Sequence, residues 1–225
     1  FVEGEAGTGK RVLNSSTFYD IYSYAEENGK KISCYMMVNH DEQIRVYEQI
    51  ALKLGLKGEN EEIVLKPTSF INHHSKEEPV DIAFIDEGHL LLTQGKQSYT
   101  GKNQLQDIID RAKVTVVMFD ANQVLTTEQY WEYQDLEHYR KLAERQENYF
   151  VLEKQLRIKA SESMIEWINR FTKNREICPI PRDKGGYEIR IFRDPYEMEK
   201  AIKEKAKDEN HQLSRMIATY DWEYH

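Results

Sequence analysis

A lysine that closes a glycine-rich run has a direct chemical reading. Residues Gly4-Glu5-Ala6-Gly7-Thr8-Gly9-Lys10 fit the pattern G-x-x-x-x-G-K, between a short apolar stretch (Phe1-Val2) and a helical run. Glycines let the backbone curl so that successive N–H groups point at one anion. The helix that follows adds the positive end of its dipole. Lys10 is then expected to reach the β- and γ-phosphates of a bound nucleotide such as ATP. The next position normally holds a Ser or Thr whose hydroxyl ligates Mg²⁺, but here it is Arg11. A guanidinium cannot ligate a metal, though it can contact phosphate. Phosphate binding is therefore expected to survive, while Mg²⁺-dependent hydrolysis does not follow from the pattern.

Further polar groups close other apolar runs. Ile82-Ala83-Phe84-Ile85 leads into Asp86-Glu87-Gly88-His89. Beside a phosphate loop, Asp86 is expected to hold Mg²⁺ through water, and Glu87 to orient or deprotonate an attacking water. Taken alone, two solvated acids at a strand exit would be an equally good reading. Val116-Val117-Met118-Phe119 leads into Asp120-Ala121-Asn122-Gln123. Gln123 could set its amide against the γ-phosphate or the water; taken alone, a strand-to-helix turn capped by Asp120 or Asn122 is the better reading. Gln155-Leu156-Arg157 follows a strand-like run at Tyr149, and Arg157 could neutralise transition-state charge. Arginine is also an ordinary surface residue. The seven histidines show no metal-binding spacing with cysteine or carboxylates.

Strands and helices must alternate to place these groups. Helical spacing is seen over Val12 to Asn28, Asp41 to Leu54, Asn103 to Ala112, Thr126 to Glu147 (with a break near Gln134) and Ser161 to Thr172, with Ser161 as N-cap. Thr68 to His73 reads as a short helix, and 58–62 and 94–102 read as loops. Strands are expected at Ile32 to Val38, Val80 to Ile85, Val114 to Phe119 and Tyr149 to Leu152. This alternation predicts an α/β fold with a parallel sheet covered by helices on both faces. Ligands of such sheets bind at the carboxyl ends of the strands, where the motifs fall. A Pro- and Gly-bearing stretch, 173–186, reads as a linker. The expected organisation is a nucleotide-binding domain over 1–172 and the truncated start of a second α/β domain over 187–225. That second part is given a strand (Tyr187 to Phe192), a helix (Pro195 to Lys207) and a strand (Met216 to Thr219).

The 225 residues are 40% hydrophobic and 31% charged, with a net charge of −8. The acidic balance argues against a general nucleic-acid coat protein, without excluding a local basic groove. No apolar run is long enough for a membrane helix, and no signal peptide opens the chain. Two cysteines, Cys34 and Cys178, do not make a disulfide framework, so free thiols and a cytoplasmic location are expected. The chain opens without Met inside a strand-like run, as a fragment would.

The order of the motifs resembles the superfamily 1 helicase series. It looks most like the bacterial domain family of unknown function related to Schlafen helicase-like ATPases. The likeness runs from the Gly4–Lys10 loop through Val38-Asn39-His40, Ile85–His89 and Phe119–Gln123 to Gln155-Leu156-Arg157. It implies two RecA-like domains with ATP in the cleft between them. It also implies a phosphate lysine at Lys10, metal and water carboxylates at Asp86 and Glu87, a γ-phosphate sensor at Gln123 and a first-domain arginine at Arg157. By the same likeness, His89 would couple the nucleotide site to nucleic acid, while Asn39-His40 and Pro67-Thr68-Ser69 would touch single-stranded DNA or RNA. Arg11 and the short second part imply that this chain by itself is weak or inactive. Two alternatives remain open. One is a degenerate nucleotide-binding or protein-interaction module without turnover. The other is a P-loop phosphotransferase, which the Asp86-Glu87 pair and the linker near residue 180 disfavour.

Overall fold

The computed structural model describes residues 1–55, 62–95, 99–123, 131–208 and 214–217. The chain divides into two compact units, Phe1–Ile158 and Lys159–His225. The division falls inside the stretch assigned above to the first domain, ahead of the 173–186 linker.

The first unit alternates strand and helix as the pattern requires. In chain order it runs β1 (Val2–Gly4), α1 (Lys10–Glu27), β2 (Cys34–Met37), α2 (Asp41–Lys53), β3 (Val64–Leu65), α3 (Pro67–His73), β4 (Val80–Ile85), α4 (Gln104–Ile109), β5 (Ala112–Phe119), α5 (Tyr133–Arg145) and β6 (Phe150–Leu152). A 3-10 turn, Gly88–Leu90, follows β4. The strands form one six-stranded sheet in the order β3-β2-β4-β5-β1-β6. Every pairing in it is parallel.

Register decides which side chains reach which face. Met36, Phe84 and Val116 lie in line across β2, β4 and β5, and so do Met37, Ile85 and Val117. Successive strand residues point to opposite faces. The first row joins Cys34 and Val38 in a core with Phe18 of α1 and with Tyr47 and Ala51 of α2. The second row packs with Phe70 of α3, Leu105 and Ile108 of α4, and Leu136 and Tyr139 of α5. Two apolar cores thus sandwich the sheet, which is why its central strands read as continuous apolar runs. In α1 the buried residues Lys10, Asn14, Phe18 and Ala25 follow helical spacing. Phe18 meets Phe84 edge to face, with ring centroids 5.6 Å apart.

Some expectations change. The edge strand β3 was not anticipated; two residues give no periodicity to read. It is held by Met36 N–H donating to Ile63 O (2.8 Å) and Val38 N–H donating to Leu65 O (3.1 Å). The helix expected over Thr126 to Glu147 is seen as α5, Tyr133–Arg145, while its start at 126–130 lies outside the described residues. Parts of the 58–62 and 94–102 loops lie outside them too.

The second unit contains α6 (Glu162–Asn169), a π-helical turn (Arg170–Asn174) and α7 (Pro195–Lys205). Ser161 does precede α6, but its hydroxyl makes no capping bond. Asp194 caps α7 by accepting from Tyr196 N–H at 2.7 Å. The Asp183 carboxylate accepts from the N–H groups of Ser161 (2.6 Å) and Tyr187 (3.0 Å). The Ser161 hydroxyl first, and then these N–H groups, hold its pKa down to about 2. The strand expected at Tyr187 to Phe192 does not form, and neither does the described part (216–217) of the one expected at Met216 to Thr219. A strand needs a neighbour for its backbone hydrogen bonds. No described segment of this unit supplies one, and Ile191 is left 84% exposed. Both cysteines are free thiols, and burial pushes Cys34 up to about 12. Among the described residues no helix is long and apolar enough to cross a membrane.

Candidate functional site

Because all six strands are parallel, their carboxyl ends share one edge, and each candidate segment follows a strand. In sheet order the edge reads Pro67-Thr68-Ser69, Asn39-His40, Asp86–His89, Asp120–Gln123, Gly4–Lys10 and Gln155–Arg157. The groups expected to act on nucleotide occupy the β4 to β6 end. The two segments expected to touch nucleic acid occupy the β3 to β2 end.

The phosphate loop is a tight curl between β1 and α1. Gly7 and Gly9 take φ of 88° and 92°, a region costly for a residue with a Cβ. Thr8 Oγ1 donates to Glu5 O at 2.8 Å, across the turn. Glu5 and Ala6 are exposed at the tip. Lys10 is buried: its Nζ donates to the carbonyls of Gly4 and Glu5, the latter at 2.9 Å, and lies 3.3 Å from Asp120 Oδ2. The Gln155–Arg157 segment braces the loop. Leu156 N–H donates to Gly7 O at 2.8 Å, and Gln155 Oε1 accepts from the N–H groups of Arg157 and Ile158. The Arg157 backbone therefore lies against the loop, with its side chain exposed.

Asp120 is the buried hub of this half. Besides Lys10, it accepts from Gln123 Nε2 at 2.9 Å and from Asn122 N–H at 3.1 Å. The second bond closes a turn at the end of β5, while the helix that Asp120 or Asn122 was expected to cap would begin outside the described residues; the contact with Lys10 was not foreseen. Gln123 is held on Asp120, close to Lys10. Asn122 Nδ2 donates to Glu5 Oε1 at 3.2 Å, tying the β5 turn to the loop.

At the end of β4 the chain turns sharply. Glu87 takes a left-handed φ of 55°, which is unfavourable for a residue with a side chain. Gly88 then passes so close to β5 that a Cβ would lie 2.7 Å from Val117 Cγ1 and 3.1 Å from Met118 O. This turn presents both carboxylates to Arg11. Arg11 Nε donates to Asp86 Oδ2 at 3.1 Å, and Nη2 donates to Glu87 Oε1 at 2.7 Å. Partial burial alone would lower the guanidinium's pKa, but the charges of Asp86 and Glu87 outweigh it and raise it. Asp86 is 2% exposed, and burial raises its pKa against the pull of Arg11. The same Oδ2 accepts from the Tyr47 hydroxyl at 3.2 Å, and Ser15 Oγ donates to Tyr47 Oη at 3.2 Å. Burial first, then the Asp86 charge, raise the Tyr47 pKa.

His89 Nε2 lies 3.4 Å from Glu87 Oε2. Burial lowers its pKa and outweighs the attraction of Glu87 and Asp120. Its ring meets Phe119 edge-on, and Nδ1 is buried without a hydrogen-bond partner among the described residues. Asn39 Nδ2 is likewise buried and unpartnered, while His40, at the N-cap of α2, is exposed. Thr68 Oγ1 accepts from Gln104 Nε2 at 2.9 Å, and Gln104 Oε1 accepts from Leu92 N–H at 2.8 Å. Gln104 thus clamps the start of α3 to the chain that follows His89. Neither Tyr47 nor Gln104 was picked out by the sequence reading. Tyr47 sits at an apolar position of an amphipathic helix, where nothing marks its hydroxyl.

Asp86 is the group expected to hold Mg²⁺, with Glu87 beside it expected to act on water. As arranged, the site does not fit the ion. Position 11 offers no hydroxyl, its guanidinium lies on both carboxylates, and the buried Asp86 oxygen already accepts two donors.

A parallel sheet with a glycine-rich phosphate loop after β1 and an acidic pair after β4 defines a RecA-like P-loop domain. The chain belongs to the family described as Schlafen group 3, DNA/RNA helicase domain, whose model matches residues 1–225. An uncharacterized protein of Saccharomyces cerevisiae is 28% identical over 250 residues, covering 99% of this chain and 54% of the relative. The chain thus spans about half the length of that relative. The Schlafen relation expected above is met, whereas the expected bacterial affiliation finds no support in a yeast relative.

Proposed function

We propose that this chain is the ATP-binding part of a helicase-like ATPase in which nucleotide occupancy is coupled to DNA or RNA. The observation that carries the reading is the convergence of Lys10, Asp86, Glu87, Gln123 and Arg157 on one sheet edge, next to Asn39-His40. In this reading Lys10 exchanges its carbonyl partners for phosphate oxygens, and Gln123 is delivered to the same place by Asp120. Arg157 lies against the loop at Gly7, and in this reading its exposed guanidinium meets the charge that develops on the terminal phosphate. Mg²⁺ supplies phosphate charge neutralisation in related motors, whereas here Arg11 stands on Asp86, which would hold it, and on the neighbouring Glu87. A second reading, nucleotide binding without turnover, is favoured by one contact. Arg11 occupies Glu87 Oε1, the carboxylate that would act on water. Calorimetric titration of the chain with ATP tests the main proposal. Binding is expected, with a loss of about tenfold or more in Lys10→Met, from charge-assisted hydrogen bonds worth roughly 1.5–3 kcal/mol. Absence of binding, or binding indifferent to Lys10→Met in a variant that still unfolds cooperatively, overturns it.

A further inference from the structure

We propose that Arg11 takes the place of the divalent cation, so that this domain binds nucleotide phosphates without magnesium. The inference rests on the nucleotide-binding function proposed above and concerns how the same site is charged.

Arg11 directly follows the phosphate lysine in the first turn of α1. Its guanidinium bridges Asp86, the carboxylate expected to hold the metal, and Glu87, the one expected to act on water, through Nε to Asp86 (3.1 Å) and Nη2 to Glu87 (2.7 Å). Displacing it would leave the carboxylate of Asp86, 2% exposed, with only the Tyr47 hydroxyl among the described residues. A buried carboxylate stripped of its cation is strongly disfavoured. Magnesium also sheds its waters reluctantly and demands near-octahedral oxygen ligands. An acceptor oxygen already holding two donors offers it little.

The same geometry gives Arg11 a second use. Nη1 has no partner among the described residues, and the side chain is half exposed. The guanidinium is permanently charged, and its planar fork suits phosphate oxygens. With one face on Asp86 and Glu87 and the other toward solvent beside the loop, Arg11 offers what a metal offers: a fixed positive charge between acidic protein groups and an anionic ligand. It differs in needing no free cation and in occupying Glu87, so turnover is expected to be slow whether magnesium is present or not.

The test is calorimetric titration of the chain with ATP and with ADP, in EDTA and in excess Mg²⁺, for the natural sequence, Arg11→Thr and Arg11→Gln. Titration with Mg²⁺ alone accompanies it. The natural chain is expected to bind equally in EDTA and Mg²⁺ and to give no heat with Mg²⁺ alone. Arg11→Thr is expected to lose about tenfold or more in EDTA, the order of one charge-assisted hydrogen bond, and to recover affinity with Mg²⁺. Arg11→Gln keeps donors but no charge; it supplies the same comparison should the Thr variant unfold, with the same loss in EDTA expected. A natural chain that gains about tenfold from Mg²⁺ overturns this inference and leaves nucleotide binding standing. Two variants as indifferent to EDTA as the natural chain also overturn it. Absence of binding under every condition refutes the inference together with the proposed function.

Discussion

The brace between the phosphate loop and the Gln155–Arg157 segment can be measured by adding one methyl group. Gly7 has φ of 88°, and a Cβ there would lie 3.0 Å from Arg157 Cβ and 3.3 Å from Gln155 Cδ. Gly7→Ala therefore meets two penalties. A left-handed backbone costs an L-residue roughly 1–2 kcal/mol. Crowding against a backbone-anchored Cβ adds about 1–3 kcal/mol. Gly29, at φ 61° with nothing within 4 Å of where a Cβ would lie, meets the first penalty alone. It is the internal control. A change of 1 kcal/mol moves Tm by roughly 2–4 °C at this chain length. Thermal unfolding should thus place Gly7→Ala about 2–12 °C below Gly29→Ala. Arg157→Gly in the Gly7→Ala background removes the opposing Cβ and should recover most of that difference, a coupling that a double-mutant cycle isolates. Equal Tm values for Gly7→Ala and Gly29→Ala, or no recovery in the double variant, would refute the packing of Arg157 on the loop.

Two further predictions concern charge. Burial holds the His89 pKa below its ordinary 6.5, so the folded state binds fewer protons than the unfolded one. Its contribution is full above that value and is lost as pH falls toward the lowered one, at no more than about 1.4 kcal/mol per pH unit. His89→Gln should flatten the stability curve just below pH 6.5 in denaturant titrations, and an unchanged slope would count against a buried neutral imidazole. Arg140 of α5 grips Glu3 of β1 through Nε (2.8 Å) and Nη2, while Tyr149 Oη donates to the same carboxylate at 2.8 Å. Glu3 is 13% exposed in its side chain, so Arg140→Ala should cost about 2–4 kcal/mol in chemical denaturation, near the range for breaking a buried pair. A cost below about 1 kcal/mol would mean that the pair behaves as a solvent-screened one.

How much of this was legible in the sequence follows from the range of each signal. The strand Val80–Ile85 was readable to the residue, because an apolar run ending in two acids leaves little choice of boundary. The helices came within a few residues at most ends, since 3.6-residue spacing is a local property. The two-residue β3 was invisible, and Tyr187 to Phe192 misled for the opposite reason: its local pattern is strand-like, yet pairing is a tertiary event. Residues acting through distant partners were hidden in the same way. Asp120 could be read only as a cap until β5 is placed beside β1, which brings its carboxylate to Lys10. Tyr47 looked like core until α2 is laid over β4, where its hydroxyl reaches Asp86. The motif list gives the members of the edge in chain order, β1 to β6; the sheet reorders them as β3-β2-β4-β5-β1-β6. That reordering puts β4 between the two groups of segments. Asp86 and Glu87 face the glycine-rich loop through Arg11, while Asp86 also faces α2, which begins at Asp41 beside Asn39-His40, through Tyr47. A carboxylate shared between an arginine in the first turn of α1 and a tyrosine of the neighbouring helix α2 is a physical link between the two halves of the edge, and neither residue's spacing in the chain announces it.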